Sequence, residues 1–222
     1  MKRATYDIYF SDIDHFAFKY GSWVSFAMSQ GFSKQSHIDL YTSYVKGQIS
    51  YHEMQRRYRD KLRSVGATKD AVTKFSKAHV SQSHNIIPGY LSYIAAIKEK
   101  FGIQKIILVS DTFDDYAQEA KKFFGFDGAY ATNNVLYDDE GKILEFEHLG
   151  DGDYAKINLI YRACDDYGTS PDRCVAGGDG MTDIPMLKAV GLGHLITPKD
   201  PPSDLPSHIY CFQDFEEAIQ NL

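Results

Sequence analysis

Cysteine is scarce: Cys164, Cys174 and Cys211 are the only three in 222 residues. They are too few and too scattered for a disulfide framework or a CxxC zinc site, and they read as small apolar residues of a reducing compartment. Long apolar runs are missing too. None approaches the ~18 residues of a membrane span, and the opening stretch carries Lys2, Arg3 and Asp7 without an apolar signal-peptide core. With 7 prolines, 17 glycines and no internal repeat, a collagen-like or low-complexity chain is excluded. Disorder is excluded by 16 Tyr, 14 Phe and a Trp. A chain of this length buries about 70% of its unfolded surface, so it needs no covalent staple. The expectation is a soluble cytoplasmic protein, monomer or homodimer, with no membrane partner.

The net charge of -6 is unevenly spread. Residues 16–86 hold 11 Lys+Arg against 4 Asp+Glu, and the remainder holds 13 against 26. The basic segment reads as helical throughout. Its clearest helix is Ser50–Val65, with Ser50 and Glu53 as a capping box, Gly66 as the stop, and Met54, Tyr58, Leu62 and Val65 as the buried stripe. Ser22–Gln30, Gln35–Val45 and Lys69–Val80 are its companions. Outside this segment, short apolar strands alternate with helices. The strands are Tyr6–Phe10, Ile106–Val109, Gly128–Ala131, Cys174–Ala176, Leu195-Ile196 and Ile209–Phe212. The helices between them are Tyr90–Phe101, Ala117–Phe124, Ile157–Tyr167 and Ile184–Val190. Such alternation predicts an α/β fold with a doubly wound, mostly parallel sheet. Asn134–Tyr137 and Ile143–Glu147 flank an acidic turn and predict a hairpin. We therefore expect a core of residues 1–15 and 87–222 with a helical cap, 16–86, inserted into it.

Polar residues gather where strands should stop, which is where an open α/β sheet binds ligands. They are Asp12-Ile13-Asp14, Ser110-Asp111-Thr112 and Gly177-Gly178-Asp179-Gly180-Met181-Thr182-Asp183, with Lys156 opening a helix. In this order the set resembles the haloacid dehalogenase superfamily: Asp-x-Asp, then Ser/Thr, then Lys, then Gly-Asp-Gly-x-x-Asp. A helical insert after the first motif resembles its phosphoserine-phosphatase-like branch, and Ser110-Asp111-Thr112-Phe113 looks like phosphoserine phosphatase/homoserine phosphotransferases.

The resemblance implies a Rossmann-like core and a phosphatase of a small phosphorylated metabolite, using Mg²⁺. It implies Asp12 as nucleophile, Asp14 as acid and base, and Ser110 and Lys156 as phosphate binders. Asp12, the Asp14 carbonyl and Asp179 would serve the metal, with Asp183 behind them. The chemistry fits, because a hard cation and a lysine ammonium let a carboxylate attack a phosphate dianion. Asp111, Thr182 and Arg56 join Ser110 and Lys156 as expected substrate-binding residues, Arg56 for a second anionic group.

Alternatives are phosphotransfer to a small alcohol and a superfamily member that binds without turnover. The sequence departs from the pattern at Phe16, where a small residue is expected, and at Ser11, where an aromatic is. Thr182 stands where Asn is common. Lys19-Tyr20-Gly21-Ser22 offers no acid for a substrate amine, which argues against phosphoserine. Trp23, Phe26 and Tyr20 are candidate pocket residues. The eight histidines show no metal spacing, and the pI of 5.7 argues against nucleic acid.

Overall fold

A computed structural model describes residues 5–149, 154–197 and 200–222. Lys2, Arg3 and Asp153 lie outside the described residues. Strands β1 (Ile8–Ser11), β2 (Lys105–Phe113), β3 (Gly128–Tyr137), β4 (Ile143–His148), β5 (Cys174–Gly178), β6 (Leu192–Ile196) and β7 (Ile209–Phe212) form one sheet, ordered β4-β3-β2-β1-β5-β6-β7. Every described pairing is parallel except β3 with β4, the expected hairpin.

The short apolar runs become central strands because both faces are covered. Side chains alternate between the faces, as strand geometry requires. Tyr9, Ile106, Leu108 and Val175 enter one apolar cluster, whereas Ile8, Phe10, Ile107, Val109, Cys174 and Ala176 enter the other. Helices α5 (Tyr90–Phe101), α6 (Asp114–Phe124) and α9 (Phe215–Gln220) supply the first cluster, and α7 (Ala155–Tyr167) and α8 (Ile184–Ala189) the second. No described helix is long and apolar enough to cross a membrane.

Residues 16–86 contain α1 (Ser22–Ser29), α2 (Lys34–Val45), α3 (Tyr51–Ser64) and α4 (Lys69–Val80). Ser33, Ser50 and Thr68 cap α2, α3 and α4 by accepting backbone N–H bonds. Glu53 completes only half of the expected box, because its carboxylate turns to Arg56 and Arg57. The expected stripe is also shorter. Tyr58 and Leu62 are buried, but Val65 caps the helix end and is 49% exposed. The segment leaves and rejoins the sheet through paired backbone, Lys19 N–H to Asn85 at 2.8 Å and Ile87 N–H to Ala17 at 3.0 Å.

The helices do not float above the sheet. Phe26, Tyr58, Leu62, Val72 and Val80 share one apolar cluster with Phe113, Tyr116 and Phe146. Arg59 pairs with Glu145, and Arg63 reaches the Leu144 carbonyl at 3.4 Å. The Lys69 N–H bonds Gly141 at 2.8 Å. Part of the basic surplus thus meets the acidic hairpin directly.

Three further differences have local causes. β3 runs unbroken where two strand runs were expected, because its first half pairs with β2 and its second with β4. β2 continues past Val109 to Phe113, with a register shift between Ser110 and Phe113, so the polar motif lies within the strand. Helix α9 was not expected, and it brings Phe215 against Phe16 and Tyr90.

Candidate active site

β1 ends at Ser11, and the Asp12 N–H still bonds the Gly177 carbonyl at 3.0 Å, so Asp12 sits at the sheet's centre and is almost fully buried. Lys156, on the first turn of α7, is 3% exposed. Its ammonium donates to Asp12 Oδ1 at 3.0 Å and Asp183 Oδ1 at 2.6 Å, and Asp111 Oδ2 lies 3.9 Å away. One carboxylate oxygen each from Asp12, Asp179 and Asp183 lies within 4.8 Å of the others. Thus Asp12, Asp111, Lys156, Asp179 and Asp183, drawn from four segments, converge.

Asp183 accepts three hydrogen bonds. Its Oδ1 accepts from Lys156, and its Oδ2 accepts the N–H groups of Asp179 and Gly180, both at 3.0 Å. It therefore orders the loop more than it offers a ligand atom. Gly178 is required beside it, since a Cβ there would overlap the Asp183 carboxyl group. Gly177 is required because a Cβ would collide with the Tyr9 hydroxyl and the Phe16 ring. Both glycines lie within β5, so close approach, not turning, explains them; Gly180 carries no such clash.

Asp14 leaves β1 by a turn in which His15 adopts φ 62°. Its Oδ2 accepts from the Ser22 hydroxyl at 2.6 Å, and Ser22 Oγ lies 2.5 Å from Thr112 Oγ1. Its Oδ1 is buried with no protein partner among the described residues. Ser110 is 1% exposed, in register with Ala131 on β3. Thr182 is half-buried in the short helical turn Met181–Asp183.

The electrostatics follow, among the described residues, from five carboxylates grouped near one ammonium. Burial, then Asp183, pushes the Asp12 pKa well above the usual range, against the pull of Lys156. Burial and Asp183 push Asp179 up to about 7. Burial also raises Asp14, with Ser22 opposing. For Lys156, burial alone would favour the neutral amine, but Asp12, Asp183 and Asp111 outweigh it and hold the group charged. Carboxylates held this close, all hard oxygen donors, fit a divalent cation.

Arg56 is placed elsewhere. It pairs with Glu53 at 2.8 Å and Asp60 at 3.1 Å on the exposed face of α3. Of the pocket candidates, Phe26 is core, Tyr20 is 55% exposed, and the Trp23 indole donates to the Asp111 carbonyl at 2.9 Å. Asn133 donates to the same carbonyl at 2.9 Å. Phe16 does not disturb the loop: it is buried against Tyr90, Tyr93 and Phe215. Ser11 lies 2.9 Å from the Tyr90 hydroxyl. Sequence reasoning missed Ser22 and Asn133 and placed Thr112 in the strand-end motif without a role; Ser22, at the first turn of a helix just past the Asp pair, had a local signal, and Asn133 had none.

A doubly wound α/β core with an acidic, lysine-bridged site at its strand ends defines a hydrolase architecture. The chain belongs to the haloacid dehalogenase-like hydrolase family, whose model matches residues 17–191. It is 28% identical over 142 residues to a phosphoserine phosphatase of Albidiferax ferrireducens, covering 61% of this chain and 58% of that protein. It is also 28% identical over 155 residues to one of a Polaromonas species, covering 67% and 61%. The chain therefore spans about three fifths of those relatives' length. Among solved structures, a phospho-aspartyl intermediate analogue of phosphoserine phosphatase superposes with a TM-score of 0.75 at 22% identity, covering 98% of this chain and 99% of that one. These relatives lie in the phosphoserine-phosphatase-like branch.

Proposed function

We propose that this chain is a Mg²⁺-dependent phosphomonoesterase for a small phosphorylated metabolite, working through an aspartyl-phosphate on Asp12. The observation that carries the reading is Lys156 bridging Asp12 and Asp183 beside Asp179, with Asp14 two residues beyond the nucleophile. Asp12 and Asp179, with the Asp14 carbonyl, would hold Mg²⁺, which supplies charge neutralisation between the attacking carboxylate and the phosphate.

In the first step a carboxylate oxygen of Asp12 forms a bond to phosphorus as the ester P–O bond breaks. Asp14, its pKa raised by burial, gives its proton to the departing alkoxide. Asp14, now ionised, then takes a proton from water as the water oxygen bonds phosphorus, releasing phosphate and restoring Asp12. Ser22, with Thr112 behind it, fixes Asp14 by one oxygen and leaves the other directed to substrate. Lys156 and Ser110 stabilise the charge on the transferring group. Residues 16–86 act as the cap over this site, and scarce cysteine suits a cytoplasmic location.

The test is phosphate release from p-nitrophenyl phosphate and a panel of phosphorylated metabolites, with Mg²⁺ or EDTA. Mg²⁺-dependent release, lowered about 10³-fold or more by Asp12→Asn, is expected. Turnover that survives Asp12→Asn would overturn the reading.

A further inference from the structure

The residues that hold the phosphate leave unanswered what reads the alcohol. On the cap side the arginines are already engaged. Arg56 and Arg57 are held by Glu53, Arg59 by Asp60 and Glu145, and Arg63 reaches the Leu144 carbonyl. A substrate carboxylate therefore meets no cap arginine placed for it among the described residues.

What lies near the site is acidic and aromatic. Asp111 follows the phosphate-binding serine on β2, and its backbone carbonyl is pinned by Trp23 and Asn133. Its side chain is 37% exposed, unlike the buried Asp12 and Asp183. Tyr51, at the start of α3, lies close enough to Asp111 and Asn133 to feel both. Tyr41 on α2 is 46% exposed and stands in the field of Asp111, Asp179 and Asp183. The rings of His37, Tyr41, Tyr44, Tyr51 and His148 follow one another at centroid spacings of 6.5, 6.2, 5.6 and 4.6 Å, making one aromatic wall from α2 to β4.

Charge decides what such a wall accepts. Lys156 lies within 3.9 Å of Asp12, Asp111 and Asp183, with Asp14 and Asp179 in the same field, so among the described residues carboxylates outnumber ammonium groups here. A bound divalent cation and a phosphate dianion cancel each other, so the loaded site remains acidic. A carboxylate on the alcohol would be repelled, a hydroxyl tolerated, and a cation attracted by Asp111 and by tyrosine π-faces.

We propose that Asp111, with the aromatic wall of Tyr41, Tyr44 and Tyr51 on the cap helices as its apolar complement, selects phosphomonoesters whose alcohol carries a positive charge, the ammonium-alcohol class. The proposal rests on the phosphatase reading above and gives its site a substrate class. Asp111 thus does for the alcohol what Lys156 does for the phosphate.

The experiment compares kcat/KM of the full chain with Mg²⁺ for 2-aminoethyl phosphate, its trimethylammonium analogue, the neutral 2-hydroxyethyl phosphate, phosphoserine and p-nitrophenyl phosphate. We expect the ammonium ester to exceed the hydroxyethyl ester by about tenfold or more, and phosphoserine to fall below the ammonium ester. Asp111→Asn should collapse that ratio toward one, and Asp111→Glu should restore part of it. Tyr41→Leu should lower the trimethylammonium ester about threefold relative to the hydroxyethyl ester. A wild-type ratio near or below one, or a ratio unmoved by Asp111→Asn, overturns the proposal while hydrolysis of p-nitrophenyl phosphate keeps the phosphatase reading standing. Absence of any hydrolysis, p-nitrophenyl phosphate included, overturns both.

Discussion

His194 offers a measurable account of how the sheet responds to acid. It is 2% exposed on β6, ringed by Tyr93, Phe101, Tyr210 and Phe212. Its Nδ1 lies 2.6 Å from the Tyr93 hydroxyl, which Tyr9 in turn approaches at 3.4 Å. Burial pushes its pKa down from 6.5 to about 4. Between these values the unfolded chain binds a proton that the folded chain refuses, so acidification favours unfolding. Moving from about pH 7.5 to about pH 4.5, this group alone should remove roughly 2–3 kcal/mol of stability. Carboxylates also titrate in this range, so the clean quantity is a difference. Urea unfolding of wild type and His194→Gln, followed by far-UV circular dichroism at a series of pH values, isolates it. The variant lacks the titration, so its stability relative to wild type should improve by about 2 kcal/mol as pH falls. A difference constant to within about 0.5 kcal/mol across the series would refute the argument and put the imidazole in a wetter setting.

Two other outcomes can be checked on the same protein. Gly177→Ala should cost about 1–3 kcal/mol in urea unfolding, because its Cβ would enter the space of the Tyr9 hydroxyl and Phe16 ring; Tyr9→Phe in that background should recover part of the loss, and no recovery would mean the Phe16 contact dominates. Mg²⁺ at about one hundred times its Kd should stabilise the protein by roughly 2.7 kcal/mol in thermal unfolding, and Asp179→Asn should abolish most of that gain; an unchanged melting curve in Mg²⁺ would remove the metal assignment.

Much of the fold was legible because β1, β5 and β7 are short apolar runs, and helices α3–α5 carry clear caps or stops. That the site's carboxylates and Lys156 would gather at the strand ends was legible too, since each stands in a recognisable local motif. What escaped was non-local or too short to show a period. Ser22 and Thr112 meet at Asp14 across 90 residues, and no spacing announces such a pair. Helix α9 has six residues, barely two turns of pattern. β2 was cut short because Ser110-Asp111-Thr112 reads as a strand exit, yet pairing with β3 carries the backbone on to Phe113. Arg56 misled in the opposite way, since Glu53 and Asp60 stand at helical spacing to absorb it. Phe16 was an outlier only against an expected pattern; Gly177 and Phe215 make room for it.

The central place of β1 has a consequence in time. Lys156 leaves the ribosome 144 residues after Asp12, and Asp183 follows a further 27 later. At about 5–20 residues per second, the Asp12 carboxylate waits roughly seven to thirty seconds for the ammonium that makes its burial tolerable. Until α7 emerges, the middle strand of the sheet carries a carboxylate better left in water. The centre of the sheet, and with it the site, is therefore completed only after α7 has emerged, and a chain halted before Lys156 leaves the Asp12 carboxylate without its ammonium.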